Sequence, residues 1–256
     1  MPARNGAVLK PDYIIPFKKT KEEAIAALKA FYQGKRLLPA AFTRDNRIQE
    51  IQGLYVPFWL FDSSADAWAS FEATQVRQRE TTTERITEID YYDCKRSGSA
   101  DFAKIPADGS TKMDDTFMES IEPFDYSELQ PFSAAYLTGY LSDKYDVDAD
   151  ANAGRIDERV TASMVEALQA TVDGYDSCDV RESAVTKRGG SVAYAMVPVW
   201  ILTTKYDGTP YTFMMNGQTG QFVGSLPIDQ KKLQLYTALS FIITFLVLFG
   251  IIFHVA

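Results

Sequence analysis

From Leu235 to Ala256 the chain runs 22 residues without an Asp, Glu, Lys or Arg, following the pair Lys231-Lys232. A helix of that length rises about 33 Å, against a hydrocarbon core of about 30 Å. Its apolar residues fall on every side rather than along one stripe, so a soluble core has no seam to grip. The alternative, a helix buried inside a large domain, is unusual at this length without a charge. The segment predicts a transmembrane anchor, and the rest of the chain is then a body tethered at its C-terminal end.

Flanking charge sets the expected orientation. Lys231 and Lys232 precede the span and nothing basic follows it, which places the body in the cytoplasm by the positive-inside tendency. The N-terminus, MPARNGAVLKPDY, lacks the apolar run of a signal peptide. Two cysteines, Cys94 and Cys178, are too few for a secreted disulfide framework and suit a reducing compartment. The expectation is a bacterial cytoplasmic membrane with the body facing the cytoplasm. Ending directly after the span, with no polar tail, reads as a chain cut short.

The formal charge of −8 lies outside the span, and an acidic body repels nucleic-acid phosphates. No nucleic-acid partner is expected. Aromatic residues at 13% favour sheet-rich packing over disorder.

The first regular element is a short strand, Tyr13 to Phe17. A helix follows, with Thr20 and Glu23 spaced as a capping box, apolar positions at Ala24, Leu28, Phe31 and Tyr32, and Gly34 as its stop. Leu54 to Phe61 is a continuous run of strand formers, buried on both faces, with Pro57 marking an edge or a bulge. The polar stretch Ala65 to Tyr92 reads as long, solvent-exposed antiparallel strands, with the register around Ile86 and Ile89 left open. Asp108-Gly109 marks a turn, and short helical pieces broken by Pro123 and Pro131 fill Asp114 to Tyr145. A second helix over Arg155 to Val172 carries Ile156, Val160, Met164, Leu168 and Val172 on one stripe, ended by Gly174. Strands at Val180–Lys187 and Val192–Tyr206 follow, then an Asp207-Gly208 hairpin to Tyr211–Asn216. Turns at Asn216-Gly217 and Thr219-Gly220 lead into Phe222–Ser225.

Two segments echo one another. Val56-Pro57-Phe58-Trp59-Leu60 and Val197-Pro198-Val199-Trp200-Ile201 share V-P-x-W, each with a Tyr upstream (Tyr55, Tyr194). Duplication or coincidence among apolar strands accounts for the match, and the tryptophans read as core anchors. Taken as duplication, it predicts an α+β fold of two pseudo-repeated modules, each a helix plus antiparallel sheet, followed by one C-terminal transmembrane helix. The expected boundaries are 1–110 for the first module, 111–154 for an aromatic-rich helical connector, 155–230 for the second module and 231–256 for the anchor.

Few tools for chemistry are present. The one histidine, His254, lies within the span, so no Ser-His or Cys-His pair can form in the body. No phosphate-binding glycine motif occurs, Gly189-Gly190 reads as a loop, and Lys187-Arg188 as a charge pair at a hairpin tip. Cys94 and Cys178 lack zinc-site spacing. Asp146, Asp148, Asp150 and Asn152 follow the start of a calcium loop, but Ala151 stands where glycine is needed and Asp157 where a bidentate Glu closes the site. An acidic entry to the second helix explains them better. The carboxylates Asp114, Asp115, Glu119 and Glu122 read as solvated helix-start charges. No catalytic, cofactor-binding or metal-binding residue is therefore assigned.

Several stretches together carry a resemblance: LKPDYIIPFKKTKEEAIAALKAFYQGKRLLP, GLYVPFWLFD, DGSTKMDDTFMESIEPFDYSELQPFSAAYLTGYLSDKYDVD and MMNGQTGQFVGSLPID. From about Leu9 through the span the chain resembles bacterial membrane proteins described as TFIIB-type zinc-ribbon-containing. In that family a cysteine zinc ribbon precedes the segment matching Ala7 to Pro16, and this chain has no ribbon there. Zinc is implied only if a ribbon lies upstream. Some members are encoded near phage-shock-protein-A-like and flotillin-like (SPFH) proteins, which implies such partners and a role in envelope stress. The expected function is a non-enzymatic, membrane-tethered scaffold that recruits protein partners. The alternative is a small-ligand sensor or enzyme using a groove between the two modules.

Overall fold

The computed structural model describes residues 9–45, 48–80, 84–113 and 115–255. It is a mixed α/β body with one large sheet of eight strands and a C-terminal helix that leaves it.

Three strands dominate: β2 (Ile48–Glu80), β3 (Arg85–Asp108) and β6 (Ser177–Tyr206). β2 is central. It pairs antiparallel with β6 from Ile48 to Thr74 on one side and with β3 from Phe58 to Glu80 on the other. At about 3.3 Å per residue, the β2–β3 hairpin alone extends roughly 75 Å. Short strands complete the sheet. β1 (Tyr13–Ile14) runs parallel to β6, β4 (Gln130–Pro131) pairs with β1, and β5 (Leu141–Ser142) lies against β2. β7 (Thr209–Asn216) pairs with β6 and β8 (Phe222–Gly224) with β7. The strands expected in two separate modules thus share one sheet.

Helix α1 (Lys21–Tyr32) starts as its sequence requires: the Thr20 hydroxyl accepts from the Glu23 N–H, and the Glu23 carboxylate from the Thr20 N–H. Gln33 caps its end, with Gly34 behind it at φ +71°. α1 and the short α2 (Ala40–Asp45) bury Ala24, Leu28, Leu38 and Phe42 against Trp200, Leu202, Phe213 and Met215. The second major helix, α4 (Ala149–Gln169), begins six residues before the expected Arg155, with Asp148 at the N-cap position and no capping bond from its side chain. Its stripe of Ile156, Val160, Met164 and Leu168 is buried on the opposite face of the sheet from the helix α3 (Asp115–Ser120) cluster of Met118 and Ile121.

Pro57 lies in a central strand, not an edge strand, and its tolerance there has a local cause. Its carbonyl accepts from Gly109 N–H (2.9 Å) one residue beyond the β3 ladder. N–H and C=O of one residue point the same way in an antiparallel strand, so the missing proline N–H faces the place where β3 ends. Pro198 repeats this where β7 ends, accepting from Gly217 N–H (2.8 Å). Gly109 O takes the N–H groups of Asp146 and Val147, and Gly217 O those of Lys18 and Lys19. Trp59 Nε1 donates to Val147 O and Trp200 Nε1 to Lys19 O, both 2.8 Å. Each acceptor stands one residue before the N-cap of a major helix. Both indoles are buried, as core anchors should be.

Gly189-Gly190 is not a loop, and Lys187-Arg188 is not a hairpin tip. β6 continues unbroken through both, and the extra residue is absorbed as a bulge with Gly189 at φ +60°. β3 bulges at the same level on the other side of β2, where Lys104 adopts φ +58°. Asp62 holds the two distortions together. Its carboxylate accepts from Lys104 N–H and Nζ and from the Ser191 hydroxyl. Burial alone would raise this carboxyl, but the Lys104 and Ser191 hydrogen bonds outweigh it and hold it below the usual range. Lys187 and Arg188 pair with Asp157 and Asp66.

Candidate interaction surface

Beyond this joint, β2, β3 and β6 form a three-stranded arm with two unlike faces. The residues alternate along SADAWASFEA, and the inward set is Ala65, Ala67, Ala69, Phe71 and Ala73, all buried. Small side chains let α4 lie close, so Met164, Leu168 and Val172 pack directly on the sheet with Cys94 between them. Tyr175 closes the end of this layer against Tyr92.

The outward set carries Asp66, Trp68, Ser70, Glu72 and Thr74, and no helix covers it among the described residues. Trp68 is 44% exposed, and across the ladder Tyr91 is 65% and Ile89 48% exposed. Beside Tyr91 is a shallow depression of about 420 Å³ lined by Phe71, Glu72, Tyr91, Tyr92, Asp93 and Arg181. Arg181 pairs with Glu72 across its floor. β6 stops opposite Thr74, where the Asp176 carboxylate takes the Val76 N–H (2.6 Å) and caps that edge. The last stretch of β2 and β3, out to Glu80 and Arg85, therefore stands as a two-stranded tip.

Among the described residues, both long edges of the arm lack a strand neighbour: β3 is an end strand, and β6 pairs only with β2 from Ser177 to Ser191. They carry charges at short intervals (Glu88, Asp90, Asp93, Lys95 and Arg96 on β3; Asp179, Arg181, Glu182, Lys187 and Arg188 on β6). Such edges resist indiscriminate strand addition.

Other candidate groups are committed to structure. Asp146 accepts from both Thr111 N–H and Thr111 Oγ1, Asp143 pairs with Lys112, and Asn152 Nδ2 donates to Asp108 O. Asp146 thus locks its loop to Thr111, and Asp148 stands at the N-cap of α4. No group of three metal-ligating side chains converges among the described residues. Glu119 pairs with Arg155, and Glu122 is largely buried beside Arg159, which also donates to Pro106 O. Burial pushes the Glu122 carboxyl up, against the pull of Arg159. Asp114 lies outside the described residues. Cys94 and Cys178 are free thiols. A second depression, about 390 Å³, lies by the start of α1 and is lined by Phe17, Lys18, Thr20, Tyr140 and Trp200. At the helix start on its rim, the Thr20–Glu23 capping box already takes two of the N–H groups.

The C-terminal helix α5 (Gln230–Val255) is long and apolar enough to cross a membrane, and its span Gln230–Gly250 is not buried against the body. Sequence reasoning missed the row of alanines that seats α4, because alanine carries too weak a hydrophobic signal to mark a buried face.

The chain is thus a mixed α/β body with an open sheet face and one C-terminal helix that is long and apolar enough to cross a membrane. In sequence, the chain is similar to a Bacillus subtilis protein recorded as "Uncharacterized protein YdjG", 34% identical over 224 residues. The match covers 88% of this chain and 66% of that protein, so the chain spans just under two thirds of its relative's length. No family model matches the chain. No solved structure matches it.

Proposed function

We propose that this chain is a non-enzymatic scaffold held at the bacterial cytoplasmic membrane by α5, with its body in the cytoplasm, and that the open face of the arm binds partner proteins. The observation that carries this reading is the asymmetry of the arm. One face is sealed by α4, while the other presents Trp68, Tyr91 and Ile89 to solvent. Exposed aromatics on a rigid sheet are inexpensive anchors for a protein partner, since little side-chain freedom is lost on binding. The resemblance to zinc-ribbon membrane proteins makes phage-shock-protein-A-like and SPFH proteins the first partners to test, and envelope stress the first condition.

The matching hydrogen bonds at Pro57, Gly109 and Trp59 and at Pro198, Gly217 and Trp200 support descent of the two halves from one duplicated unit. The competing reading, a ligand or substrate groove between the halves, has less support. β2 and β6 meet there as a continuous ladder, with Val56 opposite Val197. Capture of the full-length chain from cross-linked bacterial membranes tests the proposal. Wild type should recover a reproducible partner that Trp68→Ala/Tyr91→Ala loses. Equal recovery by both would overturn it.

A further inference from the structure

Resting on the reading of α5 as a membrane span, we infer that the turn after α1 and the first residues of α5 form a basic collar that binds anionic phospholipid headgroups. The start of α5 is fixed to the body at this turn. Asp229 N–H donates to Leu37 O (2.8 Å) and Lys232 Nζ to Leu38 O (2.6 Å). If Lys231 and Lys232 stand at headgroup level, Leu37 and Leu38 stand there too. Lys35 and Arg36 precede them by no more than two or three residues, within about 10 Å of chain.

Their position is held by the turn itself, through Lys35 N–H to Tyr32 O (3.4 Å) and Leu38 N–H to Lys35 O (3.1 Å). Lys35 Nζ lies 5.7 Å from the centre of the Phe31 ring. Lys35, Arg36 and Lys231 are exposed, and among the described residues no carboxylate pairs with them. The nearest acid in sequence, Asp229, accepts from the N–H groups of Lys231 and Lys232 and pairs at 4.0 Å with the Lys232 ammonium, which leaves Lys35, Arg36 and Lys231 as the collar's open charges. Ile228, 54% exposed, adds an apolar side chain at the same level. An acidic chain of charge −8 thereby presents, where the span leaves it, three cations that no carboxylate pairs among the described residues. Charge complementarity and continuity with the span identify the occupant as an anionic bilayer surface rather than a protein. The attraction acts only within a Debye length, so the acidic arm, tens of ångströms away, does not cancel it.

The test uses the full-length chain in detergent micelles, titrated with phosphatidylglycerol or phosphatidylcholine and read by native mass spectrometry. Phosphatidylglycerol should bind at least fivefold more tightly, and Lys35→Gln/Arg36→Gln should lower its affinity by about fivefold per charge while leaving phosphatidylcholine unchanged. Equal affinity for the two lipids, or an unaffected double variant, would overturn the collar. So would displacement of the lipid by millimolar inorganic phosphate, which would mark a free-phosphate site. Flotation with pure phosphatidylcholine vesicles separates this from the parent reading: a chain that floats but shows no lipid preference loses only the collar, and one that does not float loses the span.

Discussion

Replacing Trp59 by Phe should loosen a helix about ninety residues away in sequence and leave the nearer helix untouched. The Trp59 indole donates to Val147 O, the carbonyl just before the N-cap of α4, and its ring packs against Tyr145 and Tyr194. Phenylalanine keeps a ring there but removes the donor. A partly buried carbonyl left without its partner costs about 1–3 kcal/mol. Loss of the outer ring adds about 1 kcal/mol of transfer and cavity cost. The sum, about 2–4 kcal/mol, falls on the junction that holds the start of α4. Hydrogen exchange of the full-length chain in micelles reads this locally. Amides of residues 146–156 should exchange roughly thirtyfold faster or more, with 18–26 unchanged. Trp200→Phe should give the converse, since its acceptor is Lys19 O before α1. If Trp59→Phe instead accelerated exchange in α1, the crossed pairing of strands and helices would be wrong.

Ala69→Leu, pressed between the sheet and α4, should lower stability by about 1–3 kcal/mol, whereas Ser70→Leu on the open face should stay within about 0.5 kcal/mol; urea melts of both decide the face assignment. Arg159→Met leaves Glu122 buried without its cation and should cost about 2 kcal/mol, less than a fully enclosed pair because Arg159 is 38% exposed. In a pH series of thermal melts, the hydrogen-bonded Asp62 and Asp146 carboxyls, held low in the folded chain, contribute stability above their unfolded values near about 4. That contribution is lost as pH falls through their folded values. Glu122 acts oppositely: its raised carboxyl imposes a penalty that grows as pH rises from the unfolded to the folded value. Asp62→Asn should accordingly shallow the acid limb, and an unchanged limb would contradict the assignment.

Much of the fold was legible because its signals are local. The Thr20–Glu23 capping box, the four-residue stripe from Ile156 to Leu168 and the Asp207-Gly208 hairpin each specify a neighbour a few residues away. What escaped was long-range. Gly189-Gly190 carries the composition of a turn, yet it lies inside a 30-residue strand, because β2 supplies a partner on which a bulge can form. The same ladder keeps Pro57 in a central strand, since the missing N–H points where β3 has ended. The solvent exposure expected of Ala65 to Tyr92 leaves out the face under α4, because that face is built mainly from alanine. Which strand each helix serves depends on the two indole bonds, and nothing in the spacing of V-P-x-W shows that the motif reaches the other half's helix.

The most direct test of the account is partition of the intact chain. Bacterial membranes carrying it, stripped with alkaline carbonate and centrifuged without detergent, should retain it in the pellet until detergent is added. Recovery of full-length protein in the carbonate supernatant would contradict the account.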